Sequence, residues 1–175
     1  MNDLKSDIYT LVSAMAGGER VIWSDQNSPR PALPYWTIKL NAMPMLGSAE
    51  YGQGVTSTGH QTIWRTNQAT LEVQRFGSDS EIKCHALRSD MDRMTVREAW
   101  GLKRISCYDT GSVNNLAIKL DNSTMEPRAG VDLFLRFGST VTDRVGIIET
   151  VVTTGEYQPT ESEDLAQVIT STSIT

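Results

Sequence analysis

Residues 69–91, ATLEVQRFGSDSEIKCHALRSDM, change their hydrophobic period in mid-course. Ala69, Leu71 and Val73 alternate with Thr70, Glu72 and Gln74, the two-residue period of a strand with one buried face, and this strand is expected to end at Phe76-Gly77. Cys84, Leu87, Met91 and Met94 then recur at three- and four-residue steps, the period of a helix. Ser78-Asp79-Ser80-Glu81 has the pattern of a capping box at its entry. Thr95 and Glu98 could form a second box before Trp100-Gly101, so this helix is expected to break and restart.

Toward the N-terminus, Leu4, Ile8, Leu11, Val12 and Met15 share one helical face, and Gly17-Gly18 supplies a stop. Val21-Ile22-Trp23, and then Trp36, Ile38 and Leu40 alternating with Tyr35, Thr37 and Lys39, predict strands around the turn-rich SDQNSPRPALP. Pro29, Pro31 and Pro34 stiffen that connection. Toward the C-terminus, Ile105 to Tyr108, Leu116 to Leu120, Val131 to Phe137 and Val145 to Val152 read as strands. The core side of the Val131 strand is Val131, Leu133, Leu135 and Phe137. This order lacks a regular βαβ alternation. It predicts an α+β fold, a mostly antiparallel sheet packed against two main helices.

A chain of 175 residues with 39% hydrophobic and 21% charged residues suits one folded body. Residues 1–155 are expected to form a single domain. Residues 156–175, an acidic Ser/Thr-rich segment, read as a mobile tail or one docked on a neighbour. The net charge of −5 is concentrated there: Glu156, Glu161, Glu163 and Asp164 leave residues 1–155 at −1. So neutral a body has no footprint for wrapping duplex DNA. The N-terminal stretch MNDLKSDIYTL resembles neither a secretory signal nor a transmembrane helix, and a pair of cysteines, Cys84 and Cys107, is not expected to make a disulfide framework.

Catalysis finds no positive signal. His85 beside Cys84 lacks partners at metal-ligand spacing, and adjacent helical residues diverge, so Cys84 is expected in the core with His85 at its edge. Gly47, Gly52, Gly54 and Gly59 fit neither a P-loop nor a dinucleotide loop. No GxSxG elbow or acid and base pair is identifiable, and no cofactor or metal is implied. A small enzyme would have to assemble its site from scattered residues such as His60, Asp109 and Glu126.

The unusual stretch is 41–61, NAMPMLGSAEYGQGVTSTGHQ, which shows no periodicity and predicts a long loop, flexible or folded as a hairpin. Met43, Met45, Leu46 and Tyr51 within it either fold back on the core or form an association surface. Trp23, Trp36, Trp64 and Trp100 read as core or subunit-interface anchors. Arg128, just before a buried strand, is expected to be structural or interfacial, the alternative being a solvated charge.

Three passages carry a resemblance. They are Gln26-Asn27-Ser28-Pro29-Arg30-Pro31 leading into Pro34-Tyr35-Trp36-Thr37-Ile38, the strand Ala69 to Arg75 leading into the Ser78 helix, and Glu126-Pro127-Arg128-Ala129 leading into Val131-Asp132-Leu133. With the closing Gly146-Ile147-Ile148-Glu149-Thr150-Val151, the order of segments over residues 4–155 resembles the neck and tail terminator proteins of tailed bacteriophages. The resemblance implies a non-enzymatic α+β virion subunit, made in the host bacterial cytoplasm, that assembles into a ring, typically a hexamer. The ring would sit at the head-proximal end of the tail, end tail-tube polymerisation and meet head-completion or connector proteins. DNA would be a partner only in passing through the lumen, and no membrane is involved. Another head–tail connector or a tail-tube subunit is the neighbouring alternative.

Overall fold

The structure, a computed structural model, describes residues 2–27, 29–41, 44–52, 54–119 and 125–146. It gathers into two compact units: Met1–Glu50 with Trp64–Thr140, and Tyr51–Ile63 with the segment beginning at Val141.

Among its described residues the larger unit holds three helices, α1 (Asn2–Met15), α2 (Ser80–Asp90) and α3 (Met94–Leu102). The strands among the described residues are β1 (Arg20–Trp23), β2 (Tyr35–Leu40), β3 (Met45–Tyr51), β4 (His60–Phe76), β5 (Ile105–Thr110), β6 (Asn114–Asn115), β7 (Ile118–Lys119), β8 (Met125–Glu126) and β9 (Arg128–Arg144). The main sheet runs β1-β2-β4-β9-β5, with β3 on β4 and β6 on β9; β7 and β8 pair separately. β1 lies parallel to β2, whereas β2 with β4 and β5 with β9 are antiparallel.

The two-residue period seen in the sequence sorts the sheet into two faces. Trp36, Ile38, Leu71, Val73, Val131, Leu133 and Leu135 point to one side, where they are buried in one cluster with Ile8 and Val12 of α1, Cys84 and Leu87 of α2 and Trp100 of α3. Each such side chain contributes about 1.5–3 kcal/mol when fully buried, so this layer of helices supplies most of the driving force. Phe137 is partly buried against the same cluster, and the α+β class holds, with a mixed, mainly antiparallel sheet.

Several local expectations change. Asp79, not a capping serine, precedes α2; it adopts a left-handed backbone with φ 60°, and no side chain caps the helix. At α3 the cap position is Arg93, again without a side-chain bond, and Thr95 lies inside the helix. The break at Met91–Arg93 turns the helical face, so Met94 is 71% exposed although Met91 remains in the core. The stretch read as a loop contains β3, and β4 begins nine residues earlier than its alternation suggested. Alternation vanishes where neither strand face is buried, and the first half of β4 has no buried residue before Ala69. Of the expected Leu116–Leu120 strand only Ile118–Lys119 (β7) is extended; Leu116 and Ala117 lie in no strand, and Leu120 is outside the described residues. Val145 and Gly146 are not in a strand; 147–152 and the acidic segment 156–175 lie outside the described residues.

Two residues lock the top of the sheet. Gly77 has φ 110°, and a Cβ there would come within 3.1 Å of the Pro34 Cβ, so β4 can turn beside the cis Leu33–Pro34 bond only without a side chain. Arg75, 3% exposed, grips both oxygens of Glu19: its Nε donates to Oε2 at 2.8 Å and its Nη2 to Oε1 at 2.7 Å. Its Nη1 donates to the Ser78 carbonyl, and the guanidinium stands 5.8 Å from the centre of the Trp36 ring. One side chain thus joins the end of α1, β2, β4 and the entry to α2.

Hydrogen bonds from Arg75 hold the Glu19 carboxyl below its ordinary value, outweighing the burial that would raise it. A depressed folded value means stability that is present above the unfolded value of 4.5 and is lost as pH falls through the folded one. Glu19→Gln is therefore expected to cost about 1.5–3 kcal/mol at pH 7, the range for hydrogen bonds to a charged group. Urea melts from pH 7 to pH 3 should show the gap between variant and parent closing below about pH 4.5; a gap constant with pH would show that the charge is not what matters.

Candidate functional site

The helices cover one face of the sheet, and the other carries the side chains of alternate register. In β2 and β4 these are the pairs Tyr35 with Phe76, Thr37 with Gln74 and Lys39 with Glu72. Arg128, Asp132, Phe134 and Arg136 of β9 share the parity opposite to its buried Val131, Leu133 and Leu135.

The best-built part of this face centres on two stacked rings. Tyr35 and Phe76 lie with centroids 4.7 Å apart and planes 4° from parallel. Arg30 brings its guanidinium 5.6 Å from the Tyr35 ring centre and 5.5 Å from that of Phe76, and its Nε donates to the Tyr35 hydroxyl at 2.9 Å. Arg128 approaches the Phe76 ring to 4.7 Å. Two cations thus share one aromatic pair, an arrangement whose ring quadrupoles stabilise by about 0.5–2 kcal/mol for each cation. Arg30 also pairs with the buried carboxylate of Glu126.

From Arg128 a polar chain crosses the face. Its Nε donates to the Gln74 Oε1 at 2.7 Å and its Nη2 donates to the same oxygen; the Gln74 amide donates to Glu72, which also accepts from the Asn41 Nδ2 at 3.3 Å. The chain of bonds closes around Gly130, where a Cβ would meet the Gln74 Cγ at 3.1 Å and Leu116 at 3.0 Å. Beside it the β1–β2 connection leaves a cavity of about 370 Å³, reached by Gln26, Arg30, Lys39, Glu72 and Arg128. Further along, Arg136 stands 4.4 Å from the Tyr108 ring centre, and Tyr108 meets Phe134 at 6.3 Å. Burial pushes the Asp132 carboxyl up, and the neighbouring charge of Glu72 adds to the shift.

Of the residues singled out in the sequence, Arg128 enters this cluster, and so does Glu126, as the partner of Arg30 and not as part of a catalytic set. Leu46 is half-buried in β3 and Tyr51 is 65% exposed at its end. Met43 and the side chain of Met45 lie outside the described residues. Trp36 and Trp100 are core, Trp23 is half-buried under Lys5, and Trp64 is 46% exposed. Arg30, Tyr35, Gln74 and Phe76 were not singled out. The signal that could have found them is the polar half of the β2 and β4 alternation, where a Tyr and a Phe stand at positions otherwise held by Thr, Lys, Gln and Glu.

Nothing assembles the scattered residues into a catalytic set. His60 Nδ1 contacts the Thr58 hydroxyl at 3.1 Å in the smaller unit, Asp109 Oδ1 accepts from the Thr110 amide, and Glu126 is occupied by Arg30. Cys84 is buried with His85 exposed, and burial pushes the thiols of both Cys84 and Cys107 up to about 11. Among the described residues no group of three His, Cys, Asp or Glu could hold a metal ion, and no helix is long and apolar enough to cross a membrane.

The face thus offers guanidinium groups, aromatic rings and amides, the side chains by which proteins hold one another. No curated protein matches the chain. A family model described as phage neck terminator protein matches residues 2–161, nearly the whole sequence. The chain therefore belongs to the phage neck terminator family, whose members are structural proteins of the phage neck.

Proposed function

We propose that this protein forms a ring, a hexamer, at the head-proximal end of the phage tail, where it ends tail-tube polymerisation and joins the tail to head-completion or connector proteins. The observation that carries this reading is the family match over residues 2–161. Residues 1–155 act as one subunit body made in the host cytoplasm and built into the virion. The work is done by surfaces, without a cofactor or a reaction. A terminator succeeds by differential contact: one side matches the tube end, and the other lacks whatever recruits another tube subunit. The nearly neutral body suits a lumen through which DNA passes without being gripped.

The smaller unit supports a role in contacts. Among its described residues only Gly59 is buried, while Tyr51, Val55, Val141 and Val145 are exposed. Its turn is held by local bonds, from the Thr56 amide to the His60 carbonyl and from the Val145 and Gly146 amides to the Gly59 carbonyl. A backbone so ordered with so little apolar burial gains stability when a neighbour covers it. Tyr51 belongs to that contact, Met43, Met45 and Leu46 of the larger unit offer a neighbour an apolar surface of their own, and Arg128 steadies the sheet face through Gln74 and Phe76.

Native mass measurement of the assembled protein should give a closed ring of six copies. Electron microscopy of particles should place it on the tail axis between tube and head; a single copy off that axis would refute the ring. Replacing Met43, Met45 and Leu46 together with Ser should leave the circular dichroism spectrum and melting cooperative but lower the yield of joined particles. Unfolding would assign those residues to the core, and normal infectious yield would remove them from the interface. Arg128→Lys cannot reproduce the planar fork on Gln74 or the ring contact, and is expected to lower stability by about 1–2 kcal/mol. Unchanged denaturation and unchanged ring formation would mark Arg128 as a solvated charge.

A further inference from the structure

The cavity beside the Tyr35–Phe76 stack is reached by three cations whose partners are unequal. Arg30 is matched by Glu126. Lys39 stands 3.9 Å from the carboxylate of Asp25, and both of those side chains are largely exposed. Arg128 meets only a neutral amide oxygen and a neutral ring, because Glu72 is occupied by Gln74 and Asn41. Among the described residues no carboxylate pairs with Arg128, and the amide oxygen accepts from only two nitrogens of a guanidinium that presents five N–H donors. A half-buried planar cation with unspent donors, next to an open cavity and aromatic rings, is suited to an acidic peptide segment.

The chain itself carries such a segment. Glu156, Glu161, Glu163 and Asp164 place four carboxylates within nine residues, with Tyr157 among them and no lysine or arginine. We propose that residues 156–164 of one copy seat in this cavity on a neighbouring copy, carboxylates on Arg128 and Lys39 and Tyr157 beside the half-buried Phe76 ring. The neighbouring copy rests on the ring reading above, because a cyclic interface is heterologous and asks each subunit to give one patch and receive another. From Gly146 to Glu156 the chain can extend about 35 Å. Tethering within a ring raises the local concentration to the millimolar range, so modest contacts suffice. The cavity of about 370 Å³ has room for a few side chains and not for a folded partner.

The test uses full-length chains co-produced in pairs, one carrying Gln26→Cys at the cavity and the other Ser162→Cys between the acids. The native thiols, both pushed up to about 11, stay largely protonated near neutral pH. Under mild oxidation the pair should form a disulfide-linked dimer about tenfold faster than a control pair of Glu98→Cys with Ser162→Cys. Raising salt from about 0.05 to 0.5 M should slow it several-fold as the charges are screened. Arg128→Gln with Lys39→Gln should return the rate to that of the control. A rate equal to the control, or one indifferent to salt and to those substitutions, overturns the seat. A chain bearing both cysteines that links only to itself overturns the neighbouring copy. Native mass measured on the unoxidised samples reports separately whether the ring exists, so a failure of assembly is not mistaken for a failure of the seat.

Discussion

A guanidinium almost wholly removed from water must be given back its hydrogen bonds and its countercharge, and Arg75 finds its partners in three different parts of the chain. Glu19 comes from the segment leaving α1, Ser78 from the turn into α2, and Trp36 from the neighbouring strand. Satisfying this one cation fixes where α1 ends, how β2 registers against β4, and where α2 departs. The helices that follow fall on the same side of the sheet, and Trp100 and Cys84 then have a core to enter.

Placing every helix on one face has its complement on the other. Tyr35, Thr37 and Gln74 are nonetheless buried there, under neighbouring side chains and the β1–β2 connection that carries Arg30. The side chains of this face hold one another: ring on ring, guanidinium on ring, and an arginine–glutamine–glutamate–asparagine chain of bonds. Gly130 is part of that economy of space, because any Cβ would push Gln74 away from the strand it bridges. A preorganised face of this kind loses little side-chain entropy on contact.

The site was less legible than the fold, and the reason lies in what each signal depends on. Arg128 could be noticed because a charge abuts the apolar run Val131 to Leu135. Arg30 could not, since it lies in a proline-rich connection and reaches Phe76 only when β2 and β4 pair. β3 escaped notice for a related reason: Gly47, Ser48 and Glu50 are exposed, so its pairing with β4 rests on backbone hydrogen bonds that no side-chain pattern records. The capping boxes failed in the other direction. Their residue types were present, but a left-handed Asp79 and an extended Arg93 took the cap positions.

By itself the sequence determined which segments bury a face and with what period: α1 through its three- and four-residue steps, and β2, the second half of β4 and the first half of β9 through strict alternation. Those signals are local because burial of one face depends only on residues a turn or a pleat apart. What only the tertiary structure decided was which distant residues complete one another. Glu19 with Arg75, Arg30 with Glu126 and Phe76, and Gln74 with Arg128 are separated by long stretches of chain, and their affinity is not written in either member of a pair. It arises when the strands register and water is excluded, because only then does a charge or an amide need that particular partner.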